Sequence, residues 1–471
     1  MSDPIQEAAE LFGGAVSVVP GGVEINDASR LQSEATDALV WRAVFGSEEE
    51  RAAARWLLWE LAQSTGPRPA SIQGLYEARG RGECGGFTVP AINVRMLTYD
   101  TARAVFRAAG AGKAGAILLE IARSEISYTD QRPAEYVAVL QGAALREGYH
   151  APLFIQGDHC QVNAKKYAAN PEAEVADVKT LIGEEVAAGF YNIDIDTSTL
   201  VDLSRDTLDQ QQRDNYDRCA AITEYIRQHE PDGVTVSVGG EIGEVGHKNS
   251  TVEELRAFMK GYRGSLRERG PYAGISKISV QTGTSHGGVV LPDGSIAEVK
   301  IDINTLAELS RVAREEYGLA GAVQHGASTL PSNAFGNFPR VETCEIHLAT
   351  NFQNIVFDHP EFPGELKKRM YDYIDEHHAG ERKEGDSDEQ FYYKTRKRTI
   401  GPFKKELWSL PVAVRAAMAT DLERTFRFLF EQLNVNGTTD LVDRFTRAPV
   451  QHRDAGQPAV MIAADDPDAG E

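Results

Sequence analysis

The sequence is short of positive charge. It has 49 Lys and Arg residues against 70 Asp and Glu residues, which gives a formal net charge of -21 and a pI near 5.1. Nucleic acids and anionic membranes are bound mainly through neutralisation of their phosphate groups. The composition therefore argues against both as partners, and an anionic substrate would have to meet a local positive patch.

Cysteines and long apolar runs are also scarce. The four cysteines lie far apart with no C-x-x-C pair, which favours reduced thiols over a disulfide framework. No apolar run reaches the roughly 18 residues that span a bilayer. The opening MSDPIQEAAE lacks the basic and then apolar pattern of a signal peptide. We therefore expect a cytoplasmic protein.

Short β-branched runs alternate with longer amphipathic segments from residue 87 onward. This alternation is typical of an α/β protein with a (β/α)8 TIM barrel. An open doubly wound sheet is the alternative, but such sheets usually carry a Gly-rich phosphate fingerprint after the first strand, and AINVRMLTYD has none. The predicted strands are FTVPAINV (87–94), GAILLEIA (115–122), APLFIQGDH (151–159), YNIDIDTS (191–198), VTVSVGGEIG (234–243), ISKISVQTG (275–283), GAVQHGAS (321–328) and CEIHLATN (344–351).

The chain divides into four predicted regions. Residues 1–85 are helix-prone, with EEERAAARWLLWELAQ at near-helical apolar spacing, and form an N-terminal helical extension. The catalytic barrel occupies 86–360. A charged loop and helices that pack on the barrel follow over 361–449. The remainder, 450–471, is acidic and bears Pro and Gly, which predicts a disordered tail.

Polar residues stand at the ends of the predicted strands, where a TIM barrel places its active site. His159, His286 and His325 follow strands 3, 6 and 7, each with a small residue after it. Three neutral imidazoles at one rim can bind a divalent metal and leave a position open for substrate, as catalytic zinc sites do. Asp158 is then the neighbouring candidate for a general acid and base. The glycines after His286 and His325 suit backbone amides that approach an anion such as phosphate.

Each of these residues also has a purely structural interpretation. A single strand-end histidine more often satisfies hydrogen bonds than binds a metal, and only recurrence at three equivalent ends favours a metal site. Glu241, at the end of strand 5, is either a ligand or catalytic group or a carboxylate paired with a neighbouring strand. Asn93, at the end of strand 1, either faces substrate or caps the following helix.

The ordered set GDHCQVNAKK, EIG, SHGG and QHGAS resembles the class II, metal-dependent fructose-bisphosphate aldolases, and the likeness extends over about 87–435. The resemblance implies a (β/α)8 barrel that is usually oligomeric, so we expect a homodimer or homotetramer. It also implies reversible cleavage of a ketose phosphate to dihydroxyacetone phosphate and an aldehyde. Fructose 1,6-bisphosphate, which yields glyceraldehyde 3-phosphate, is the expected substrate.

The resemblance assigns roles to individual residues. His159, His286 and His325 match the zinc ligands. Glu241 matches a glutamate that can hold the metal in an alternate position, and Asp158 matches the residue that exchanges a proton with the C4 hydroxyl of the ketose. The positions that hold the ketone-side phosphate, often with a bound monovalent cation, correspond to Gly287, Gly326 and Ser328.

The sequence departs from the family pattern at the substrate ends. In strand 8, HLATN places His347 where the family has a substrate-binding Asn, whereas Thr350 agrees with the pattern. We retain His347, Thr350 and the neighbouring Asn351 as substrate-binding candidates, together with Asn93. No arginine near LWSLPVAVR clearly matches the one that grips the distal phosphate. The family glutamate that transfers protons in the loop after strand 5 has no clear counterpart here, and the candidates are Glu244, His247, Glu253 and Glu254.

Three functions therefore stay open at this point. The first is a zinc-dependent aldolase. The second is a C4 epimerase of a ketose or ketouronate that runs retro-aldol and aldol steps on the same metal site, as the altered phosphate positions suggest. The third is a catalytically silent barrel that binds a sugar phosphate. Retention of every metal ligand favours the two enzymes over the scaffold.

Overall fold

Parallel strands form a closed barrel at the centre of the protein. The computed structural model describes residues 3–243, 248–283, 291 and 301–455. Eight barrel strands lie within these ranges, and their side chains are almost all buried, as expected for parallel strands covered by helices. They are β1 (Val89–Asn93), β2 (Leu118–Ala122), β3 (Leu153–Gln161), β4 (Asn192–Asp196), β5 (Ser237–Glu241), β6 (Lys277–Val280), β7 (Ala322–Gln324) and β8 (Glu345–Leu348).

The strand order closes the sheet on itself. Successive strands pair in parallel from β1 to β8, and β8 returns to β1 through Ile346↔Pro90 and its neighbours. Seven strands lie within the runs predicted for them and β3 extends two residues beyond its run, so the (β/α)8 TIM barrel is confirmed. The carboxyl ends of all barrel strands consequently meet at one rim.

Amphipathic helices surround the barrel and start at well-formed caps. Thr207 and Thr251 each form a capping box with a Gln or Glu three residues later, and the Asp302 side chain caps the helix before β7. These caps satisfy backbone N–H groups that a helix start leaves unpaired. The barrel helices are Thr98–Gly112, Arg123–Thr129, Pro133–Arg146, Ala164–Ala169, Pro171–Ala188, Leu208–His229, Val252–Arg269, Ile303–Tyr317 and the short Asn337–Arg340.

The N-terminal region contains a hairpin as well as helices. Val16–Val19 and Gly22–Ile25 pair antiparallel, an element that the helix-prone sequence did not predict. A two-residue strand, Pro69–Ala70, then pairs with the start of β3. The helices of this region are Pro4–Glu10, Glu34–Phe45, Glu48–Thr65 and Gln73–Gly80, and the middle two pack on the barrel helix Pro133–Arg146.

The C-terminal region is helical and packs against the barrel. Its longest helix, Val412–Gln432, lies along Thr98–Gly112. The other helices are Thr350–Phe357, Gly364–His377, Asp388–Thr395, Lys404–Trp408 and Thr439–Phe445. None of the helices in the described part of the chain combines the length and apolar character needed to cross a bilayer.

Residues 451–453 are held against the N-terminal region, although we assigned 450–471 to a disordered tail. The indole N–H groups of Trp56 and Trp59 donate to the backbone carbonyls of Arg453 and Gln451 at 2.8 and 2.6 Å. The Arg453 guanidinium lies 3.3 Å from the centroid of a Trp59 ring. These contacts order the start of the segment, and 456–471 lie outside the described residues.

Arg79 joins the helix Gln73–Gly80, which precedes the barrel, to the barrel itself. Its guanidinium is 1% exposed and donates to the carbonyls of Phe87, Ala320 and Thr343. Replacement by Met would leave these buried acceptors without their donor, so Arg79→Met is expected to lower the free energy of unfolding by about 2–4 kcal/mol. Chemical unfolding followed by circular dichroism measures the change. Arg81→Met, at the exposed end of the same helix, is the control and should cost less than about 0.5 kcal/mol; equal losses would contradict the anchoring role.

Candidate active site

A bulge in β3 brings Asp158 and His159 to the same rim. Successive side chains of a regular strand point to opposite faces. Here the register with β4 shifts between Gly157 and Cys160, and His159 adopts a left-handed backbone with φ of 41°. As a result the imidazole Nε2 of His159 lies 3.9 Å from Oδ1 of Asp158. Both candidates predicted from GDHC therefore face the carboxyl-end rim of the barrel.

His159 lies close to other side chains that could bind a metal, some of them predicted from the sequence and one not. Its Nδ1 lies 3.4 Å from Oδ2 of Asp196 and 3.9 Å from Oε2 of Glu241. The ring centroid of His325 is 4.4 Å from that of His159. His159, Asp196 and Glu241 can offer donor atoms within 4.8 Å of one another. The structure thus brings together His159, His325 and Glu241, whereas His286 and Gly287 lie outside the described residues.

Asp196 is a site residue that sequence reasoning missed. It ends β4, where it pairs in register with Gln161, the last residue of β3, and the next strand, β5, ends on Glu241. Its side chain also accepts hydrogen bonds from the backbone N–H and the hydroxyl of Ser198, at 3.0 and 2.7 Å. The available signal was its position, since NIDID ends on a carboxylate and the neighbouring predicted strands carry Asp158 and Glu241 near their carboxyl ends.

His347 lies beside Asp158 and is surrounded by carboxylates. Its Nδ1 is 3.1 Å from Oδ1 of Asp158 and 3.0 Å from Oε2 of Glu120. Its Nε2 is 2.8 Å from Oε1 of Glu345, and its ring centroid is 4.0 Å from that of His325. Despite the cost of burial, Glu120 and Asp158 raise the pKa of His347 well above its ordinary value. His347 thus contacts both the candidate base and a candidate metal ligand.

A fully buried lysine supports this cluster from inside the barrel. The ammonium of Lys277 donates to Oε1 of Gln156 at 2.7 Å, lies 2.9 Å from Oδ1 of Asp194 and also pairs with Glu345. A Cβ on Gly239 would lie 2.2 Å from the Asp194 carboxylate, so glycine on β5 leaves room for the ion pair between β4 and β6. Although burial opposes charge, the two carboxylates raise the pKa of Lys277. The amine is therefore held protonated and is unsuited to attack a carbonyl as a nucleophile.

The remaining predicted site residues lie around the same rim. Asn93 donates to Oε2 of Glu125 at 2.6 Å and accepts from Arg95. Gly326 has φ of 68°, and the Ser328 hydroxyl accepts from the backbone N–H of Ala349 at 2.6 Å. Thr350 and Asn351 begin the helix after β8. Ser328 and Asn351 also line a cavity of about 570 Å³, together with Arg424 and apolar residues of the C-terminal helix.

Of the four proton-transfer candidates in the loop after β5, the structure describes two. Glu254 accepts from the backbone N–H of Thr251 at 2.7 Å in a capping box, so it has a structural use. Glu253 lies in the first turn of the same helix. Glu244 and His247 lie outside the described residues.

The sequence matches one family model, described as "Fructose-bisphosphate aldolase class-II", over residues 78–403. The chain belongs to this family. No curated protein matches the chain.

Among solved structures, a probable tagatose 6 phosphate kinase from Sinorhizobium meliloti 1021 is 16% identical, and the match covers 76% of this chain and 93% of that one at a TM-score of 0.52. A glycerol complex of the fructuronate-tagaturonate epimerase UxaE from Cohnella laeviribosi is 13% identical and covers 90% of each chain, also at 0.52. At these identities the likeness establishes the fold.

The rim suits the divalent metal on which class II aldolases generally depend. Imidazole nitrogens and carboxylate oxygens are the ligands that Zn²⁺ takes, and the groups around His159 supply both kinds. Burial and the neighbouring Asp196 raise the pKa of Glu241 to about 8. Burial opposes charge on His159, but Asp158, Asp196 and Glu241 raise its pKa well above the ordinary value. The carboxylates thus make this rim favourable for a cation.

These pKa shifts predict proton release when a metal binds. A metal takes the deprotonated forms of Glu241 and His159, so affinity for Zn²⁺ is expected to fall as pH falls from about 8.5 to about 6, by about tenfold per pH unit for each proton displaced. Isothermal titration in buffers of different ionisation enthalpy counts the protons. The control is Glu241→Gln, whose neutral amide should reduce the count. Tight binding with an affinity independent of pH would contradict the assignment.

Proposed function

We propose that the protein is a metal-dependent aldolase that cleaves a ketose phosphate by a retro-aldol reaction, with fructose 1,6-bisphosphate the first substrate to test. The observation that carries the proposal is that four side chains lie close together at one rim. They are the carboxylate of Asp158 and the possible metal ligands His159, His325 and Glu241. Family membership supports the reaction class. The identity of the metal as Zn²⁺ and the fructose bisphosphate itself are parts of the proposal.

The residues suit the chemistry of breaking a carbon-carbon bond next to a ketone. A divalent metal held by the histidines and Glu241 would supply Lewis acidity to the ketose oxygens and stabilise the charge left by cleavage. Asp158 takes the proton of the C4 hydroxyl, which starts cleavage, and returns it in the reverse reaction. Asp158 is 5% exposed, and a base shielded from water exchanges its proton with the bound substrate rather than with solvent.

A second candidate function is a C4 epimerase that releases and recaptures the aldehyde fragment with its other face forward. The specific observation in its favour is the charge of the rim, where Glu120, Asp158, Asp194, Asp196 and Glu241 are all buried or nearly so. Clustered carboxylates repel a phosphate, which carries nearly two charges, more strongly than the single charge of a uronate carboxylate or a neutral hydroxyl group. The structure of the fructuronate-tagaturonate epimerase, whose match covers 90% of this chain, adds support to testing unphosphorylated ketouronates.

Product analysis separates the two enzymes. We expect the metal-loaded protein to release dihydroxyacetone phosphate from fructose 1,6-bisphosphate, measured by coupled oxidation of NADH with glycerol-3-phosphate dehydrogenase. Protein treated with a chelator is the control, and added Zn²⁺ should restore turnover. Conversion of tagaturonate or another ketose to its C4 epimer without triose release, seen by ¹³C NMR, would favour the epimerase. Inactivity towards all of these substrates at full metal occupancy would overturn both.

Asp158 distinguishes an enzyme from a silent sugar-binding scaffold. Asp158→Ala is expected to lower kcat by about 10²–10⁴-fold because it removes the proton-transfer group. Metal content, measured by plasma mass spectrometry, should stay stoichiometric. Asp202→Ala is the control, since that exposed carboxylate contacts only Ser204 and Arg205 in its own loop among the described residues. Unchanged kcat in Asp158→Ala would remove Asp158 from the mechanism.

A further inference from the structure

We propose that His347 is a positioning residue that orients the Asp158 carboxylate for proton exchange with the substrate. The inference rests on the proposed retro-aldol function and deepens it. The resemblance led us to expect substrate binding at this position, because the family has an Asn there. The contacts of the imidazole point to a different use.

Both ring nitrogens of His347 already face protein carboxylates. Nδ1 lies between Oδ1 of Asp158 and Oε2 of Glu120, at 3.1 and 3.0 Å. Nε2 lies 2.8 Å from Glu345 and 3.5 Å from Asp194. Each imidazole nitrogen offers one donor or acceptor direction. Nε2 forms a hydrogen bond with Glu345, whereas Nδ1 lies in ion-pair contact with Asp158 and Glu120 without the geometry of a hydrogen bond to either. Protein carboxylates thus face both ring nitrogens, and Asp158 is a direct contact of the ring.

The acidic neighbours of His347 are themselves held. Glu345 accepts from the Tyr76 hydroxyl, from the Gln156 amide at 3.0 Å and from the Lys277 ammonium. Gln156 also donates to Glu120 at 3.0 Å, which links the two carboxylates that face opposite sides of the ring. The imidazole thus sits in a frame whose own rotamers are fixed by packing and hydrogen bonds, as precise placement of a catalytic group requires.

Asp158 is a group that benefits from such a frame. It precedes the left-handed His159 in a bulge, where the ladder with β4 is interrupted although Asp158 stays paired with Ala122 of β2. A contact to Oδ1 sets the plane of the carboxylate and with it the direction of the second oxygen. Misplacing a reacting group by about 1 Å costs about 10²-fold in rate. Loss of the Nδ1 contact is therefore expected to act on turnover.

Two amide substitutions separate the two sides of the ring. The amide nitrogen of Asn stands as many bonds from Cβ as Nδ1 of His, so His347→Asn keeps an N–H group beside Asp158. The amide of Gln lies one bond further out, so His347→Gln keeps a donor towards Glu345 and removes the one at Asp158. We expect His347→Asn to retain kcat within about threefold and His347→Gln to lose about 10²-fold in kcat, with KM nearly unchanged in both.

Crystal structures of the same variants supply a readout that does not depend on activity. The Asp158 carboxylate should keep its orientation in His347→Asn and rotate away in His347→Gln. If His347→Gln fails to fold, His347→Leu takes its place, since Leu has the branching of Asn without a donor. Wild-type kcat in the donor-less variant, or equal losses in the Asn and Gln variants, would overturn the proposal. If the wild type cleaves no ketose, the proposed function fails, and an unmoved Asp158 in the donor-less crystal structure would separately overturn the positioning role.

Discussion

The site depends on the buried positive charge of Lys277 inside the barrel. Lys277 is 0% exposed, and its ammonium holds Asp194 and Glu345 in a region where isolated carboxylates are very costly. Burial alone raises the pKa of a carboxyl group, yet Lys277 and His347 keep the pKa of Glu345 at about 2. The ionised Glu345 then fixes His347, which contacts Asp158. The arrangement at the rim thus begins with a lysine one layer below it.

Negative charge at the rim has two chemical consequences. It favours a divalent cation among the imidazoles, since neighbouring carboxylates compensate the cation in a poorly solvated place. It also disfavours a second highly charged substrate group at the same depth. In the described part of the chain, Arg95 is a cation near this depth, and its guanidinium is paired with Glu125. The charge distribution therefore favours a substrate whose distal end carries little negative charge.

The barrel could be predicted from the sequence because each strand has a recognisable local pattern. Apolar β-branched runs bounded by helices specify the fold without knowledge of which strands touch. Every observed barrel strand overlaps its predicted run, and only β3 extends beyond it, by two residues. The N-terminal hairpin was missed because its strands are four residues each and mix polar with apolar side chains. The oligomeric state, the monovalent cation and the role of His286 stay predictions.

The hydrogen-bond network below the rim was not predicted, because it depends on the register between neighbouring strands. In the sequence, Glu120 and Lys277 are single polar residues inside apolar runs. Neither run identifies the side chain that its polar residue contacts. Only the pairing of Glu120 with Gln156, and of Asp194 through Gly239 with Lys277, places these groups at one level of the barrel. Strand-end histidines were easier to find because all strand ends of a parallel barrel meet at the same rim.

The backbone conformation of His159 shows that the site reduces the stability of the fold. A non-glycine residue at φ of 41° is strained, and such strain costs about 1–3 kcal/mol. Glycine at this position would relax the chain, but it would lose the imidazole and with it the site. Thermostabilising designs for this barrel should therefore leave the β3 bulge unchanged and alter its surface helices instead.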